Sequence, residues 1–290
     1  MMKGVKPGAV VRLGLLAVGT IALLPAQLVA QRLGPRAAST LPRLFHRLTC
    51  RCMGVRVAVQ GTPPPPRAGG LIVASHVSWL DISVIGAQRP LAFVAKSEVA
   101  EWPVIGWLAK LQRTVFIDRQ RRAATADVAA EMGARLSNGE AIVLFAEGTT
   151  GDGTRVLPLR SSLLGAAHQA LAKDPDADVT VYPLSVTYVG FHGMAGGRME
   201  RSQLGWYGDT ELAPHLKAML AAGAIDVVLS WGEPISMGRS LSRKAATQLA
   251  EAAIRSARRE AVTGRPPAPA LPAPAPAATA PVIPSERKPE

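Results

Sequence analysis

The chain has 290 residues, of which 48% are hydrophobic and 19% are charged, a composition that excludes a protein disordered throughout. Its two cysteines, Cys50 and Cys52, are too few for a secreted scaffold held by disulfides or for a zinc site with four cysteine ligands. The net charge of +12 is unevenly distributed, because residues 1–80 contain ten Lys and Arg residues and no Asp or Glu.

The basic N-terminal region also contains an uncharged apolar segment, from Leu13 to Ala30. As a helix this segment would extend for about 27 Å, which is close to the thickness of the hydrocarbon core of a bilayer. Positive charge beside an apolar segment favours an anionic membrane surface over nucleic acid as the partner. Three interpretations of the segment compete: a cleaved signal peptide, a simple spanning helix, and one part of a larger membrane anchor.

The next segment, residues 36–53, has the pattern of an amphipathic helix. Apolar residues recur at helical spacing, and arginines lie beside them at intervals of four: Leu41, Leu44, Phe45, Leu48 and Cys52, with Arg43, Arg47 and Arg51. Such a helix can place its apolar side chains in the acyl boundary while its guanidinium groups hold anionic headgroups. We therefore predict a two-helix membrane anchor over residues 1–54. A second interpretation, compatible with the first, is that the second helix packs on the soluble domain.

After Gly54, short segments typical of strands alternate with segments of helical periodicity. The predicted strands are Val55–Val59, Leu71–Ala74, Leu91–Ala95, Thr114–Ile117, Ala141–Phe145, Val179–Val189 and Ile225–Ser230. The predicted helices are Trp79–Ala87, Arg121–Leu136, Ser161–Ala172, Glu211–Ala221 and Ser242–Glu260. This alternation predicts an α/β domain over residues 55–262, in which a mostly parallel sheet is flanked by helices. Residues 263–290 are rich in Pro and Ala, and we predict that they form a disordered tail.

A histidine and an aspartate five positions apart, His76 and Asp81, follow the predicted strand that ends at Ala74. Sites in α/β sheets form beyond the carboxyl ends of strands, so this location suits a functional pair. A bend at the junction would bring the carboxylate to one imidazole nitrogen and leave the other as a general base. The structural alternative is that Ser78 caps the helix and Asp81 interacts only with the helix dipole. Two candidate ligands with no third nearby do not predict a zinc site.

A glycine-rich loop follows the predicted strand Ala141–Phe145. Two of its glycines have the spacing of a nucleotide-binding P-loop, which would suit a lipid kinase. Thr154 and Arg155, however, stand where that motif needs its lysine and its Ser or Thr, so the pattern disfavours a kinase. The loop instead provides one acid, Glu147, with Arg155 and Arg160 as nearby cations. The alternative is a plain turn between a strand and a helix.

Two further cations lie at the ends of predicted strands. Lys96 directly follows one strand, and Arg119 lies two residues after another. The planar fork of an arginine suits a phosphate or a carboxylate, so Arg119 is a candidate ligand for an anionic group. The alternative is a solvated strand end within the cationic run that continues through Arg121 and Arg122.

Taken in order, these segments resemble the PlsC-type glycerolipid acyltransferases, also called lysophosphatidate acyltransferases. The resemblance extends from about residue 56 to residue 189 and rests on four motifs. The matching residues are His76 and Asp81 of an HxxxxD motif; Lys96, Pro103, Gly106 and Phe116-Ile117-Asp118-Arg119; Phe145-Ala146-Glu147-Gly148-Thr149-Thr150; and Val181-Tyr182-Pro183-Leu184. Each motif alone is weak evidence, whereas four in the family's order favour a catalytic role for the histidine and the aspartate.

The resemblance implies that His76 takes the proton from a lysolipid hydroxyl while Asp81 orients the imidazole. The hydroxyl oxygen would attack the thioester of acyl-ACP or acyl-CoA, with no covalent enzyme intermediate, no cofactor and no metal. A backbone N–H near the start of the helix would stabilise the oxyanion. The residues implied or suggested in substrate binding are Lys96, Arg119, Glu147, Gly148, Thr149, Arg155 and Arg160.

The implied partners are the membrane bilayer, an acyl carrier protein or coenzyme A thioester, and a lysolipid acceptor; nucleic acid is not expected. The implied location is the bacterial inner membrane, with the catalytic domain on the cytoplasmic face.

The chain departs from the family pattern at Thr150, where the family has Arg, and at Ala146, where the family has Pro. The loss of an arginine from a headgroup pocket weakens the binding of a doubly charged phosphomonoester most. The loop also resembles the bacterial branch that acylates lyso-ornithine lipid, whose acceptor has an amino-acid headgroup and a 3-hydroxyl on its amide-linked chain. Lyso-ornithine lipid is therefore the expected acceptor. The alternatives are 1-acylglycerol 3-phosphate and, from another class, a non-catalytic lipid-binding protein.

Overall fold

The computed structural model of the protein describes residues 7–66, 68–118, 122–170, 179–238 and 241–264. The α-helices are α1 (Pro7–Leu33), α2 (Pro35–Ala38), α3 (Leu41–Met53), α4 (Asp81–Gly86), α5 (Ile105–Leu111), α6 (Arg122–Ser137), α7 (Ser161–Ala170), α8 (Arg198–Ser202), α9 (Leu212–Ala222) and α10 (Arg243–Thr263). The strands are β1 (Val55–Gln60), β2 (Gly70–Ala74), β3 (Ala92–Lys96), β4 (Val115–Ile117), β5 (Ala141–Phe145), β6 (Val179–Phe191), β7 (Met194–Ala195), β8 (Ile225–Trp231) and β9 (Ile235–Met237). A 3-10 helix spans Ser97–Glu101.

The strands form one sheet whose main path has the order β1-β8-β6-β2-β5-β3-β4, with β7 and β9 paired to β6. The five strands from β6 to β4 are parallel to one another. β8 pairs with β6 in the antiparallel sense, and β1 is parallel to β8. The predicted fold class, a mostly parallel sheet flanked by helices, is confirmed.

Successive side chains of the central strands point into two different cores. In β5, Val143 and Phe145 face one core, and Ile142 and Leu144 face the other. Residues of α3, α4 and α9 complete the first core, and residues of α6, α7 and α10 complete the second. Because both faces of the sheet are buried, β2 and β5 are continuous apolar runs and show no alternation of polar and apolar residues.

Helix α1 is long and apolar enough to cross a membrane, and it is the one such helix among the described residues. Both of its ends contact the domain. Near its start, Ala9 is buried in the first core, and Arg12 donates a hydrogen bond to the carbonyl of Leu220 at 3.3 Å. Near its end, the Gln27 amide donates to the carbonyl of Leu111 at 2.7 Å. The helix therefore lies along the domain and leaves one apolar face exposed, formed by Val10, Val11, Leu15, Val18, Ile21, Leu28, Val29 and Leu33.

Helix α3, which we predicted as the interfacial part of the anchor, packs against α1, α4 and β1. Arg43 and Arg47 each donate a hydrogen bond from Nε to the carbonyl of Ala87, at 3.3 and 3.2 Å, just beyond the end of α4. Two arginines of the predicted headgroup stripe thus bind the negative end of a helix. Helix α3 therefore packs on the domain, as the second interpretation of this segment predicted. The two-helix anchor over residues 1–54 is not confirmed and stays a prediction. Most of the predicted tail, residues 265–290, lies outside the described residues.

The contact between α3 and α4 is centred on a buried histidine. Nδ1 of His46 lies 3.2 Å from the hydroxyl of Ser83, and burial lowers the pKa of His46 to about 4. The ring fills the space beside Gly86, because a Cβ built on that glycine would lie only 2.4 Å from Cδ2 of His46. Close packing at this point fixes the position of α4 on α3.

Gly86→Ala should therefore destabilise the protein by about 1–3 kcal/mol, because the added methyl group forces a buried ring to move. Gly14→Ala on α1 is the matched control, since a Cβ there would have no neighbour within 4 Å. Thermal or denaturant unfolding in detergent measures both variants. Equal shifts for the two alanine variants would contradict the packing described for α3 and α4.

Candidate active site

The side chain of Asp81 is buried completely, with 0% of it exposed, in the first turn of α4. Its Oδ2 accepts hydrogen bonds from the backbone N–H groups of Val77, at 2.7 Å, and Ser78, at 2.9 Å. Its Oδ1 accepts the hydroxyl of Tyr188 at 2.7 Å. A buried charge without such donors would cost several kcal/mol, so these bonds are what allows a carboxylate in this position.

The imidazole of His76 lies beside this carboxylate, with Nδ1 at 2.9 Å from Oδ2 of Asp81. The residue follows β2, so the pair stands beyond the carboxyl end of a central parallel strand, where the sequence analysis placed it. A carboxylate only accepts hydrogen bonds, and we therefore assign the proton of the neutral ring to Nδ1. Nε2 then carries a free lone pair. The side chain of His76 is 17% exposed, so the ring is accessible from one side.

An aromatic ring covers one face of the histidine. Phe145, the last residue of β5, stacks on His76 with ring centroids 3.9 Å apart and an interplanar angle of 15°. Phe93 stacks in turn on Phe145, with centroids 6.2 Å apart. The stack fixes the plane of the imidazole.

Glu147, the acid of the glycine-rich loop, is buried and binds backbone. Its Oε1 accepts the N–H of His76 and its Oε2 accepts the N–H of Leu157, both at 2.9 Å. Burial raises the pKa of Glu147 to about 7, although the two backbone hydrogen bonds act in the opposite direction. The carboxylate joins the loop to the histidine segment, which is a positioning contact. Its implied contact with a substrate headgroup stays a prediction.

The loop after Glu147 folds back over the histidine segment. The N–H of Gly151 donates to the carbonyl of His76 at 2.8 Å, and the N–H of Arg160 donates to the carbonyl of Ala146 at 2.9 Å. Gly148 has a φ of 75°, which a glycine adopts without strain, and this conformation lets the chain turn directly after the strand. The loop therefore forms one wall of the site around His76.

The structure brings only some of the predicted binding residues into contact with the pair. Glu147 binds the backbone of His76, and Gly148 adjoins it in the chain. Lys96 is exposed at the end of β3, and three predicted residues are exposed on the loop: Thr149, Arg155 and Arg160. Arg119 lies outside the described residues. Substrate-binding roles for all of these residues stay predictions.

No sequence motif predicted the role of Tyr188. This residue lies four positions beyond Leu184, which is aligned with the last residue of β2 in the pairing of β6 with β2. That pairing carries its hydroxyl to Asp81, although the two residues are 107 positions apart. Burial and the charge of Asp81 raise the pKa of Tyr188 well above its ordinary value, so the phenol remains a proton donor. A long strand with a tyrosine is too common a pattern to have indicated this contact.

The structure also excludes two backbone N–H groups as donors to the oxyanion of the reaction. The N–H groups of Val77 and Ser78, which precede α4, already donate to Asp81 and are not free for a substrate oxygen. Ser78 does not cap the helix, which begins at Asp81 with Leu80 in the capping position. Within the described residues, no group of three or more His, Cys, Asp or Glu side chains is arranged to hold a metal ion.

A cleft of about 1110 Å³ opens elsewhere on the molecule. Its lining includes Pro64, Arg89, Arg113, Ala141 and Trp231, and it lies at the edge of the sheet where β3 and β5 begin. His76 and Asp81 lie beyond the end of β2, at the opposite edge. The hydrogen-bond network, and not the size of a cavity, therefore identifies the functional site.

Residues 56–187 match a family model described as acyltransferase. Two relatives named lyso-ornithine lipid O-acyltransferase are similar over most of their length. The protein from Brucella abortus (strain 2308) is 43% identical over 251 residues, which are 85% of this chain and 92% of the relative. The protein from Rhizobium meliloti (strain 1021) is 40% identical over 279 residues, which are 94% of this chain and 93% of the relative.

A solved structure has a similar fold. It is the 1-acyl-sn-glycerophosphate (LPA) acyltransferase, PlsC, from Thermotoga maritima, which superposes with a TM-score of 0.58 and 19% sequence identity. The match covers 89% of this chain and 98% of that chain. At this level of identity the likeness supports the fold alone.

The contacts of Glu147 predict how its replacement changes stability with pH. The folded protein holds the carboxyl proton up to about pH 7, whereas the unfolded chain releases it near pH 4.5. The wild type should therefore lose stability relative to Glu147→Gln as the pH rises from about 4.5 to 7. At every pH the variant also carries a penalty of about 1–3 kcal/mol, because an amide donor faces a backbone donor.

Unfolding at a series of pH values measures this difference. Glu140→Gln is the control, since Glu140 pairs with Arg113 at 3.0 Å and its side chain is partly exposed. Curves for wild type and Glu147→Gln that stay parallel between pH 4.5 and 7 would show that the carboxyl proton is not retained on folding.

Proposed function

The chain belongs to the PlsC-type acyltransferase family, and on this premise we propose that it transfers a fatty acyl chain from acyl-ACP or acyl-CoA to the hydroxyl of lyso-ornithine lipid. Membership of the family makes the chain an acyltransferase. The main support for the mechanism is the contact between Nδ1 of His76 and the buried carboxylate of Asp81, at 2.9 Å. That contact leaves the lone pair of Nε2 on a fixed ring whose side chain is partly exposed.

In the proposed reaction, Nε2 of His76 takes the proton from the acceptor hydroxyl as its oxygen attacks the thioester carbon. The imidazolium that forms is stabilised by Asp81. A C–O bond forms and the C–S bond breaks. The departing thiolate takes the proton back from His76, so the enzyme returns to its starting state without a covalent intermediate.

No cofactor enters this scheme, because the thioester supplies the activated acyl group and the histidine moves the only proton. The donor is a substrate, and its carrier is proposed to be either an acyl carrier protein or coenzyme A. The proposed substrate contacts are Lys96, Arg119, Gly148, Thr149, Arg155 and Arg160, as the family's motifs imply or the loop suggests. Glu147 acts in this scheme by holding the backbone of His76.

Two observations support lyso-ornithine lipid as the acceptor. The third motif has Thr150 in place of the family's arginine, which disfavours a doubly charged phosphomonoester. Both relatives named lyso-ornithine lipid O-acyltransferase match over more than nine-tenths of their own length. The acceptor hydroxyl would be the free 3-hydroxyl of the amide-linked chain.

The exposed surface supports a membrane location. Helix α1 contacts the segment that follows β3, because Gln27 and Gln31 of α1 both donate to the carbonyl of Leu111 at the end of α5. That segment exposes four more apolar side chains: Trp102, Val104, Ile105 and Trp107. Exposed tryptophans and aliphatic side chains, such as those of this segment and of the apolar face of α1, suit the boundary between headgroups and acyl chains. We propose that this face lies on the cytoplasmic side of the bacterial inner membrane, where a lysolipid reaches His76 without leaving the bilayer.

An acyl-transfer assay with purified protein tests the proposed function. Acyl-ACP is offered with lyso-ornithine lipid or with 1-acylglycerol 3-phosphate in parallel reactions. Transfer to lyso-ornithine lipid should dominate, and His76→Ala should lower that rate by about 10³-fold or more, because removal of a general base also removes its proton-transfer path.

The outcomes separate the candidate functions. Dominant transfer to 1-acylglycerol 3-phosphate would overturn the proposed acceptor but not the catalytic pair. Transfer that survives His76→Ala would overturn the pair. Lipid binding without transfer to either acceptor would support a non-catalytic protein and contradict the assignment as an acyltransferase.

A further inference from the structure

Three elements meet at Gly153, in the loop that covers His76. Arg258 of α10 donates a hydrogen bond to the carbonyl of Gly153 at 2.5 Å. The carbonyl of Arg201, in α8, lies 3.6 Å from the position that a Cβ on Gly153 would take, and Cγ1 of Val77 lies 3.1 Å from it. Since Val77 is the neighbour of His76 in the chain, this junction lies at the wall of the active site.

Positive charge exceeds negative charge at this junction. Arg155 and Arg198 both interact with Asp152, and Arg258 interacts with Arg201, Asp152 and Glu147. Glu147 already accepts two backbone N–H groups, and Asp152 accepts both the N–H and the hydroxyl of Thr154. Glu200 of α8 accepts the N–H of Gly197, and Asp152 is the carboxylate that interacts with several of these guanidinium groups.

The positive charges of Arg201 and Arg258 are only partly compensated by nearby carboxylates. Burial and the charge of Arg201 lower the pKa of Arg258, as expected for two cations held close together. Nε of Arg201 is buried and has no hydrogen-bond partner among the described residues, while its terminal nitrogen donates to the carbonyl of Gly196. Arg258 uses one of its five N–H groups on Gly153. An anionic group at this position would relieve the repulsion and accept the remaining donors.

A cation is also missing from the same loop. Thr150 occupies the position where the family has an arginine, three residues before Gly153. Arg201 and Arg258 lie beyond residue 187, where the match to the family model ends, so no motif accounts for either residue. The headgroup of lyso-ornithine lipid carries a carboxylate, which a guanidinium binds through two parallel hydrogen bonds.

We propose that Arg258, with Arg201 beside it, binds the carboxylate of the acceptor headgroup. This inference rests on the proposed function, because it requires an acceptor whose headgroup carries a carboxylate. It makes Arg258 a determinant of acceptor specificity, separate from the proton transfer at His76.

The test compares two acceptors that differ by one charge: lyso-ornithine lipid and its carboxyl methyl ester. Wild type, Arg258→Gln and Arg258→Lys are assayed in the full-length protein with acyl-ACP. Arg259→Gln is the matched control, since its side chain is exposed on the next position of the same helix. The readout is kcat/KM for each acceptor, together with the KM for acyl-ACP.

Arg258→Gln should lower kcat/KM for the carboxylate acceptor by about 10- to 100-fold, the loss expected for a hydrogen bond between charged groups. The change should lie mainly in the acceptor KM, with the KM for acyl-ACP unchanged. On the methyl ester, wild type and Arg258→Gln should differ by less than about threefold, because the charge that Arg258 binds is absent. Arg258→Lys should fall between the two, since a lysine keeps the charge but not the planar fork.

A purely structural role for Arg258 would lower activity on the acid and on the ester by the same factor, and this result would overturn the inference while the proposed function stands. Any variant that retains measurable activity gives this ratio, so partial loss of folding does not obscure it. If the wild type transfers no acyl group to lyso-ornithine lipid, the proposed function fails, and the inference fails with it.

Discussion

The site depends on one buried charge, the carboxylate of Asp81. It accepts four hydrogen bonds, from the N–H groups of Val77 and Ser78, from the hydroxyl of Tyr188 and from Nδ1 of His76. Two of these bonds shape the turn between β2 and α4, one joins that turn to β6, and one fixes the imidazole. A buried carboxylate is tolerated only when hydrogen-bond donors surround it in this way. The same hydrogen bonds therefore determine both the local fold and the orientation of the base.

The second buried carboxylate, Glu147, lies in a different environment from Asp81 and has a different role. Glu147 accepts only two backbone N–H groups, and burial raises its pKa to about 7, whereas Asp81 is surrounded by four donors. Glu147 ties the glycine-rich loop to His76, so the loop that forms the wall of the site and the base that performs the chemistry are held at a constant distance. Helix α4, which carries Asp81, is held from behind by α3 through His46, Arg43 and Arg47. Helix α3 thus supports the catalytic edge, and α1, which packs on α3, faces the membrane in our proposal.

Much of the fold could be predicted because buried parallel strands leave a strong pattern: Ala141–Phe145 was predicted with the bounds that the structure shows. The pairing of His76 with Asp81 could also be predicted, since a strand end and a helix start lie close in the chain. The segment after β3 was missed, because its two helices are short and Pro103 interrupts their periodicity. Tyr188 reaches Asp81 only through strand order, which no local pattern encodes. For α3, an amphipathic sequence does not distinguish packing on a domain from packing on a bilayer, and the structure shows contacts with the domain.

The proposed mechanism requires that Asp81 holds His76 in the tautomer with the proton on Nδ1 and the lone pair on Nε2. Nitrogen-15 NMR of the full-length protein in detergent, with labelled histidine and His76 assigned by substitution, measures this directly at a pH where the ring is neutral. We expect a protonated Nδ1 and an unprotonated Nε2 in the wild type, and a mixture of tautomers in Asp81→Asn. A wild-type ring with its proton on Nε2 would contradict this mechanism, because the nitrogen facing the acceptor hydroxyl would then be unable to take its proton.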